Sequence, residues 1–219
     1  GKVASCAIDS TGAAYCWGER LFTGTTNRTT SANVTTPTRL CQSAITSSCT
    51  TNMPAVRSIA MGANHACAAM QAASGQGVYC WGNDNPASNR YGQFGNNSTS
   101  AATSSQAVSG TALANSASSY VVQVVAGIDF TCALRNDGAV YCWGYNNVGQ
   151  VGDGTSGTNR LVPTAVSGLG TGSGVVALTA GGSHACALKA TGEMVCWGSH
   201  ASGQLGDGST INAMARSMP

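Results

Sequence analysis

The chain has 219 residues, enough to bury a sizeable core, yet only 8% of them are charged and the net charge is +2. Its cations, Lys2, Arg20, Arg28, Arg39, Arg57, Arg90, Arg135, Arg160, Lys189 and Arg216, are scattered singly, which excludes the clustered basic surface that nucleic acid or an anionic membrane needs. No apolar run approaches the roughly 18 residues of a spanning helix, the longest candidate being the short stretch Val121 to Gly127. The chain begins at Gly1 without an initiator Met or an apolar leader, as expected of a processed chain or an excised piece.

Helix-favouring charges are nearly absent, with Glu19, Glu193, Lys2 and Lys189 the complete set of Glu and Lys, so long amphipathic helices cannot be written and an all-β fold is expected. Ten cysteines lie in apparent pairs beside β-type residues, not in the CxxC knuckles of zinc sites. Three His and few carboxylates leave a metal short of co-ligands, so no metal is expected. Five disulfides imply an oxidising compartment: extracellular, periplasmic or cell-surface.

Self-similarity dominates the chain. Cys-Trp-Gly occurs at Cys16–Gly18, Cys80–Gly82, Cys142–Gly144 and Cys196–Gly198, and takes up all four Trp. Upstream stand Cys6, Cys67, Cys132 and Cys186, each preceded at five residues by Gly1, Gly62, Gly127 or Gly181. In repeats two to four an apolar pair comes earlier still: Val56 and Ile59, Val121 and Val124, Val175 and Leu178. Downstream lie Gly92-Gln93-Phe94-Gly95, Gly149-Gln150-Val151-Gly152 and Gly203-Gln204-Leu205-Gly206, eroded in repeat one to Leu21-Phe22-Thr23-Gly24. Repeats of 54 to 65 residues, counted between equivalent cysteines, suit one four-stranded propeller blade each. One propeller-repeat domain is expected over 1–219, with repeats near 1–55, 56–120, 121–174 and 175–219 and insertions at 23–52 and 96–119.

Within repeat three, Phe130 to Arg135, the loop Asn136-Asp137-Gly138, and Ala139 to Trp143 read as a hairpin whose Gly takes the left-handed position. Ser10-Thr11-Gly12 and Ala190-Thr191-Gly192 repeat that loop length, while repeat two carries three extra residues before Gly77. The register sets Cys132 opposite Cys142, Cys6 opposite Cys16, Cys67 opposite Cys80 and Cys186 opposite Cys196, within disulfide reach. Cys41 and Cys49 are expected to close a fifth bond in the first insertion.

These strings, Val-x-x-Val-x-x-Gly, His-x-Cys-Ala, Asp-Gly-x-Val-x-Cys-Trp-Gly and Gly-Gln-x-Gly-Asp-Gly, resemble the regulator of chromosome condensation repeat in the Cys-rich form of secreted bacterial proteins. The resemblance implies a β-propeller, usually of seven blades. Only four repeats are present, so the ring is a four-bladed one, an open part of a larger one, or one completed by a second chain.

His65 and His184 replace one another and Ala4 or Phe130 at one repeat position, which points to packing; His200 stands alone in a loop. Asp137, Asp153 and Asp207 read as turn residues, with calcium the minor alternative for the latter two. Asp9, Glu19, Asp84, Asp129 and Glu193 join no motif with a His or an activated Ser, so no catalytic residue and no enzyme activity are expected. No phosphate-cradling loop precedes a helix, and no cofactor is expected. Glycosylation-type sequons begin at Asn27, Asn33, Asn96 and Asn97. The expected function is a non-enzymatic extracellular or surface module, an adhesin or appendage subunit whose loops contact protein, glycan or further copies of itself. The alternatives are a secreted inhibitor that covers a target enzyme and, carried by the family resemblance, a nucleotide-exchange factor for a small GTPase.

Overall fold

The computed structural model describes residues 4–19, 33–41, 52–71, 75–82, 89–100 and 105–208. Those residues form sixteen strands and no helix. The first sheet joins β1 (Ala4–Ile8), β2 (Ala14–Gly18) and β3 (Val34–Arg39) in that order. The second joins β4 (Val56–Met61), β5 (His65–Met70), β7 (Val78–Gly82) and β8 (Gln106–Ala107), while β6 (Gly75–Gln76) and β9 (Ala114–Asn115) pair beside it. The third contains β10 (Val121–Ala126), β11 (Phe130–Arg135), β12 (Val140–Gly144) and β13 (Arg160–Ala165). The fourth contains β14 (Val175–Ala180), β15 (His184–Lys189) and β16 (Met194–Gly198). Four antiparallel meanders in series are the blades of a β-propeller, as the repeats predict.

The Val-x-x-Val spacing is not a strand period, because alternate residues of a flat strand face opposite ways. A bulge reconciles the two: the pairing of β10 with β11 shifts between Val121 and Gln123, and the same shift recurs between Val56 and Ser58 and between Val175 and Ala177. The extra residue turns Val124 back to the side of Val121, and both are buried.

Each hairpin keeps the predicted register, with Cys6 opposite Cys16, Cys67 opposite Cys80, Cys132 opposite Cys142 and Cys186 opposite Cys196. All four pairs are bonded, with Cα atoms 4.1 Å apart. The expected Cys41–Cys49 bond lies outside the described residues at Cys49; Cys41 is buried and bridges to Asn52. Outer strands β3 and β8 fall inside the two segments read as insertions, 23–52 and 96–119.

The cysteine side of a sheet, its trailing face, packs on the alanine–tryptophan side, the leading face, of the next. At the third junction Cys132, Leu134, Val140 and Cys142 meet Val175, Leu178, Ala185, Ala187 and Trp197. At the second, Cys67, Ala69, Val78 and Cys80 meet Val121, Val124, Ala133 and Trp143. At the first, Ala14, Cys16 and Leu40 meet Val56, Ala66, Ala68 and Trp81. Burying one Leu or Val in such a layer contributes about 1.5 to 3 kcal/mol. Among the described residues the outermost faces have no such cover. Ser5 and Ala7 are exposed on the first sheet, and Leu188 and Met194 are 40% and 66% exposed on the fourth. The four described sheets follow one another as an arc.

Candidate interaction surface

The turns between the first and second strands of successive blades gather at one end of the arc. A ladder crosses them: Ala63 N–H donates to the Ile128 carbonyl at 3.4 Å and Ile128 N–H to the Gly182 carbonyl at 2.9 Å. Met61–Ala63, Ala126–Ile128 and Ala180–Gly182 line a shallow depression of about 550 Å³, with Ile128 half exposed at its rim. Glycine is required here by close approach. A Cβ on Gly127 would lie 2.0 Å from the Phe130 ring, and one on Gly181 would lie 2.1 Å from the His184 ring. A Cβ on Gly62 would lie 2.5 Å from the His65 ring and 2.4 Å from the Gly127 carbonyl.

His65 and His184 are thus wedges under a glycine, as Phe130 is, in keeping with the packing role expected of them. His65 is fully buried and its Nε2 lies 2.8 Å from the Thr131 hydroxyl. Loss of solvation lowers its pKa to about 4, so the ring is neutral.

The glycine–glutamine loops hold the blades to one another. Trp143 Nε1–H donates to the Gln93 carbonyl at 2.8 Å and Trp197 Nε1–H to the Gln150 carbonyl at 2.9 Å. Gln93 Nε2 also donates to Asp129 at 3.0 Å. Each loop is closed by a polar clip invisible to the repeat pattern. Asn89 Oδ1 accepts from Phe94 N–H at 2.9 Å, Asn146 Oδ1 from Val151 N–H at 3.0 Å, and His200 Nδ1 from Leu205 N–H at 3.3 Å.

His200 therefore does not stand alone, contrary to the sequence reading. It is buried, does the work of an asparagine, and its Nε2 meets Asp207 at 3.2 Å. A change of residue type at one repeat position hides the equivalence, and in repeat two 83–88 displaces Asn89 along the chain.

Asp9, Asp137 and Asp153 are engaged with their own loops. Asp153 accepts from Thr155 N–H at 3.0 Å, from the Thr155 hydroxyl at 2.7 Å and from Arg160 Nε at 2.5 Å. Burial raises its pKa, but the hydrogen bonds from Thr155 and Arg160 outweigh that and hold it below the ordinary value. Its lone pairs are taken by donors, an arrangement that suits a turn better than calcium. Asp9 is likewise a turn residue, which the sequence reading missed: it accepts from Thr11 and from Ala13 N–H, and the Thr11 hydroxyl bond foremost lowers its pKa. Asp137 caps the repeat-three hairpin through Ala139 N–H and pairs with Arg135 at 2.9 Å. Lys189 and Glu193 pair at the tip of the last hairpin.

The sequon residues are not gathered in one place. Asn33 is exposed before β3, and Asn97 is exposed in a left-handed conformation at φ 58°. Asn96 accepts from Asn89 at 3.3 Å, while Asn27 lies outside the described residues.

Three junctions, a ladder of glycine turns and acids committed to loops define a disulfide-stapled propeller scaffold. Models of the regulator of chromosome condensation (RCC1) repeat match residues 121–150 and 175–204, and 137–188. Over 121–204, its third and fourth blades, the chain is similar to that repeat family. It is 41% identical over 96 residues to the human E3 ubiquitin-protein ligase HERC2, covering 44% of this chain and 2% of the ligase. With the probable human E3 ubiquitin-protein ligase HERC4 it shares 36% over 86 residues, covering 39% and 8%. Among solved structures, human WBSCR16 superposes with a TM-score of 0.71 at 21% identity, over 99% of this chain and 50% of that one. Yeast RCC1 (Prp20), in its complex with Kap60, gives 0.74 at 19%, over 100% and 46%. The chain thus spans about half of these propellers and a small fraction of the ligases.

Proposed function

We propose that this chain is a non-enzymatic protein-binding and assembly module of the cell exterior. The observation that carries the reading is the disulfide inside every sheet. Such bonds persist in oxidising compartments and are lost to the reductants of the cytosol. The chemistry of the surface agrees with binding: the acids and imidazoles described above are spent on turns, clips and wedges, while apolar side chains stand exposed at Ile128, Leu188 and Met194. Relatives of the same fold meet proteins, as yeast RCC1 (Prp20) meets Kap60. The ligase activity named for HERC2 belongs to a protein of which this match covers 2%.

The test is made on the native protein in its own cells. Intact cells are treated with a protease and with a membrane-impermeant thiol reagent, before and after reduction. Cleavage on intact cells, with thiols labelled only after reduction, is the expected result. A protein protected until lysis and carrying free thiols overturns the reading.

A further inference from the structure

Blade two departs from its neighbours at the end of its glycine–glutamine loop. Gly149-Gln150-Val151-Gly152 runs on into Asp153-Gly154 and Gly203-Gln204-Leu205-Gly206 into Asp207-Gly208, whereas Gly92-Gln93-Phe94-Gly95 runs on into Asn96-Asn97. Gly154 and Gly208 take φ of 86° and 77°, a left-handed backbone that glycine adopts without strain. Asn97 holds the same turn at φ 58°, and among the described residues no other side-chain-bearing residue has a positive φ. Asparagine tolerates that region better than most residues, yet less well than the glycine of the other two blades. The turn explains why asparagine is accepted there but gives no reason to replace glycine.

Nothing inside the fold uses the side chain that the replacement adds. Asn97 and Thr99 are both exposed, and neither the Asn97 amide nor the Thr99 hydroxyl has a hydrogen-bond partner among the described residues. The backbone beneath is held, because Asn97 N–H donates to the Leu161 carbonyl of β13, in the next blade, at 3.0 Å. An open amide on a fixed surface turn, two residues before an open hydroxyl, is what an Asn-x-Thr glycosylation acceptor presents.

The overlapping sequon is already engaged. Asn96 is half-buried and its Oδ1 accepts from Asn89 Nδ2 at 3.3 Å. Ser98, which supplies its hydroxyl, accepts from Ser100 N–H at 3.0 Å through Oγ and from Asn89 Nδ2 at 2.9 Å through its carbonyl. A glycan on Asn96 would grow against the clip that closes the loop. Asn33 is exposed, but Val34 and Thr35 of its sequon belong to β3, where Val34 lies opposite Gly18.

We propose that Asn97 carries an N-linked glycan. Its Nδ2 bonds to the anomeric carbon of a sugar held on a lipid pyrophosphate, the bond from that carbon to the pyrophosphate oxygen breaks, and one Nδ2 proton leaves with the lipid pyrophosphate. The proposal rests on the cell-exterior reading above, since such acceptors are modified on secreted proteins.

The native protein is purified from its own cells, reduced and digested with trypsin, which releases residues 91–135 as one peptide holding both overlapping sequons. Fragmentation that spares the glycosidic bond is expected to place a sugar mass on Asn97. In the same cells Thr99→Ala is expected to abolish that mass and Thr99→Ser to keep it. Ser98→Ala, which ends only the sequon of Asn96, is expected to leave it unchanged. Asn97→Gly copies blades three and four, so it is expected to lose the sugar and to keep the hairpin disulfides in non-reducing peptide maps, which also check the folding of the other variants. An unmodified peptide from a protein that passes the cell-surface test overturns the proposal and leaves the exterior reading standing, whereas an unmodified peptide with free thiols in the same sample brings down both. Sugar on Asn96, or sugar that survives Thr99→Ala, overturns it too.

Discussion

The indole of Trp143 donates to the main-chain carbonyl of Gln93, fifty residues earlier and in the preceding blade. The bond ties a strand of one sheet to the loop that leaves another, and Trp197 repeats it with Gln150. The two are not equivalent, since the Gln93 carbonyl also accepts from the Thr131 hydroxyl at 3.2 Å. Trp143→Phe therefore leaves that carbonyl satisfied and is expected to cost about 1 to 2 kcal/mol from the lost bond and ring. Trp197→Phe takes away the indole donor with no such hydroxyl to replace it, and is expected to cost more. Urea unfolding of both variants, compared at equal slope, reads the difference.

Close approach of backbone to ring makes a sharper test of the axial turns. Gly127→Ala places a methyl within 2.0 Å of Phe130 and 2.8 Å of the Gly181 carbonyl, so either the wedge or the ladder must move. A loss of roughly 1 to 3 kcal/mol is expected, as for other overpacked sites. Gly170→Ala meets nothing within 4 Å and needs no left-handed backbone, so it is expected to be neutral. Equal melting temperatures for the two variants would contradict the wedge.

How much of this was legible in the sequence depended on whether a residue's role repeats with its type. The cysteine pairs and the glycine before each wedge recur in kind, so register and turn could be read directly. Val121 and Val124 were visible as a pair, but the bulge that puts both on one side has no residue signature, only an odd spacing. The outer strand β3 was hidden because an edge strand faces water, and Val34–Arg39 is mostly exposed and rich in Thr. A signal existed nonetheless: β3 and β13 both carry Pro at the fourth position, Pro37 and Pro163, a residue at home on sheet edges. The clips at Asn89, Asn146 and His200 escaped because asparagine and histidine supply the same acceptor from different side chains.

The hairpin disulfides are expected to act locally and additively. Each closes a short loop, and in the chain-entropy account removing one costs roughly 2 to 4 kcal/mol. Replacing Cys132 and Cys142 together by Ala is expected to lower stability by about that amount and to leave the other three pairs intact in non-reducing peptide maps. Scrambled pairs between blades would count against a register that sets each Cys opposite its partner.

The last expectation concerns acid. His65 is buried, with a pKa lowered to about 4 from 6.5 by loss of solvation, and its Nδ1 has no hydrogen-bond partner. An unfolded chain solvates that ring and takes up its proton near pH 6.5, so between those values the unfolded state binds more protons than the folded one. Stability is then complete above about pH 6.5, falls as the pH drops towards 4, and loses no more to this group below that. At an order of magnitude the loss is about 3 kcal/mol. His65→Phe copies the wedge that repeat three already uses under Gly127, so the variant is expected to fold and to give up the hydrogen bond to Thr131. Its melting temperature is expected to fall less between pH 7 and pH 4 than that of the parent chain. A parallel decline in both proteins would show that the acid sensitivity arises elsewhere.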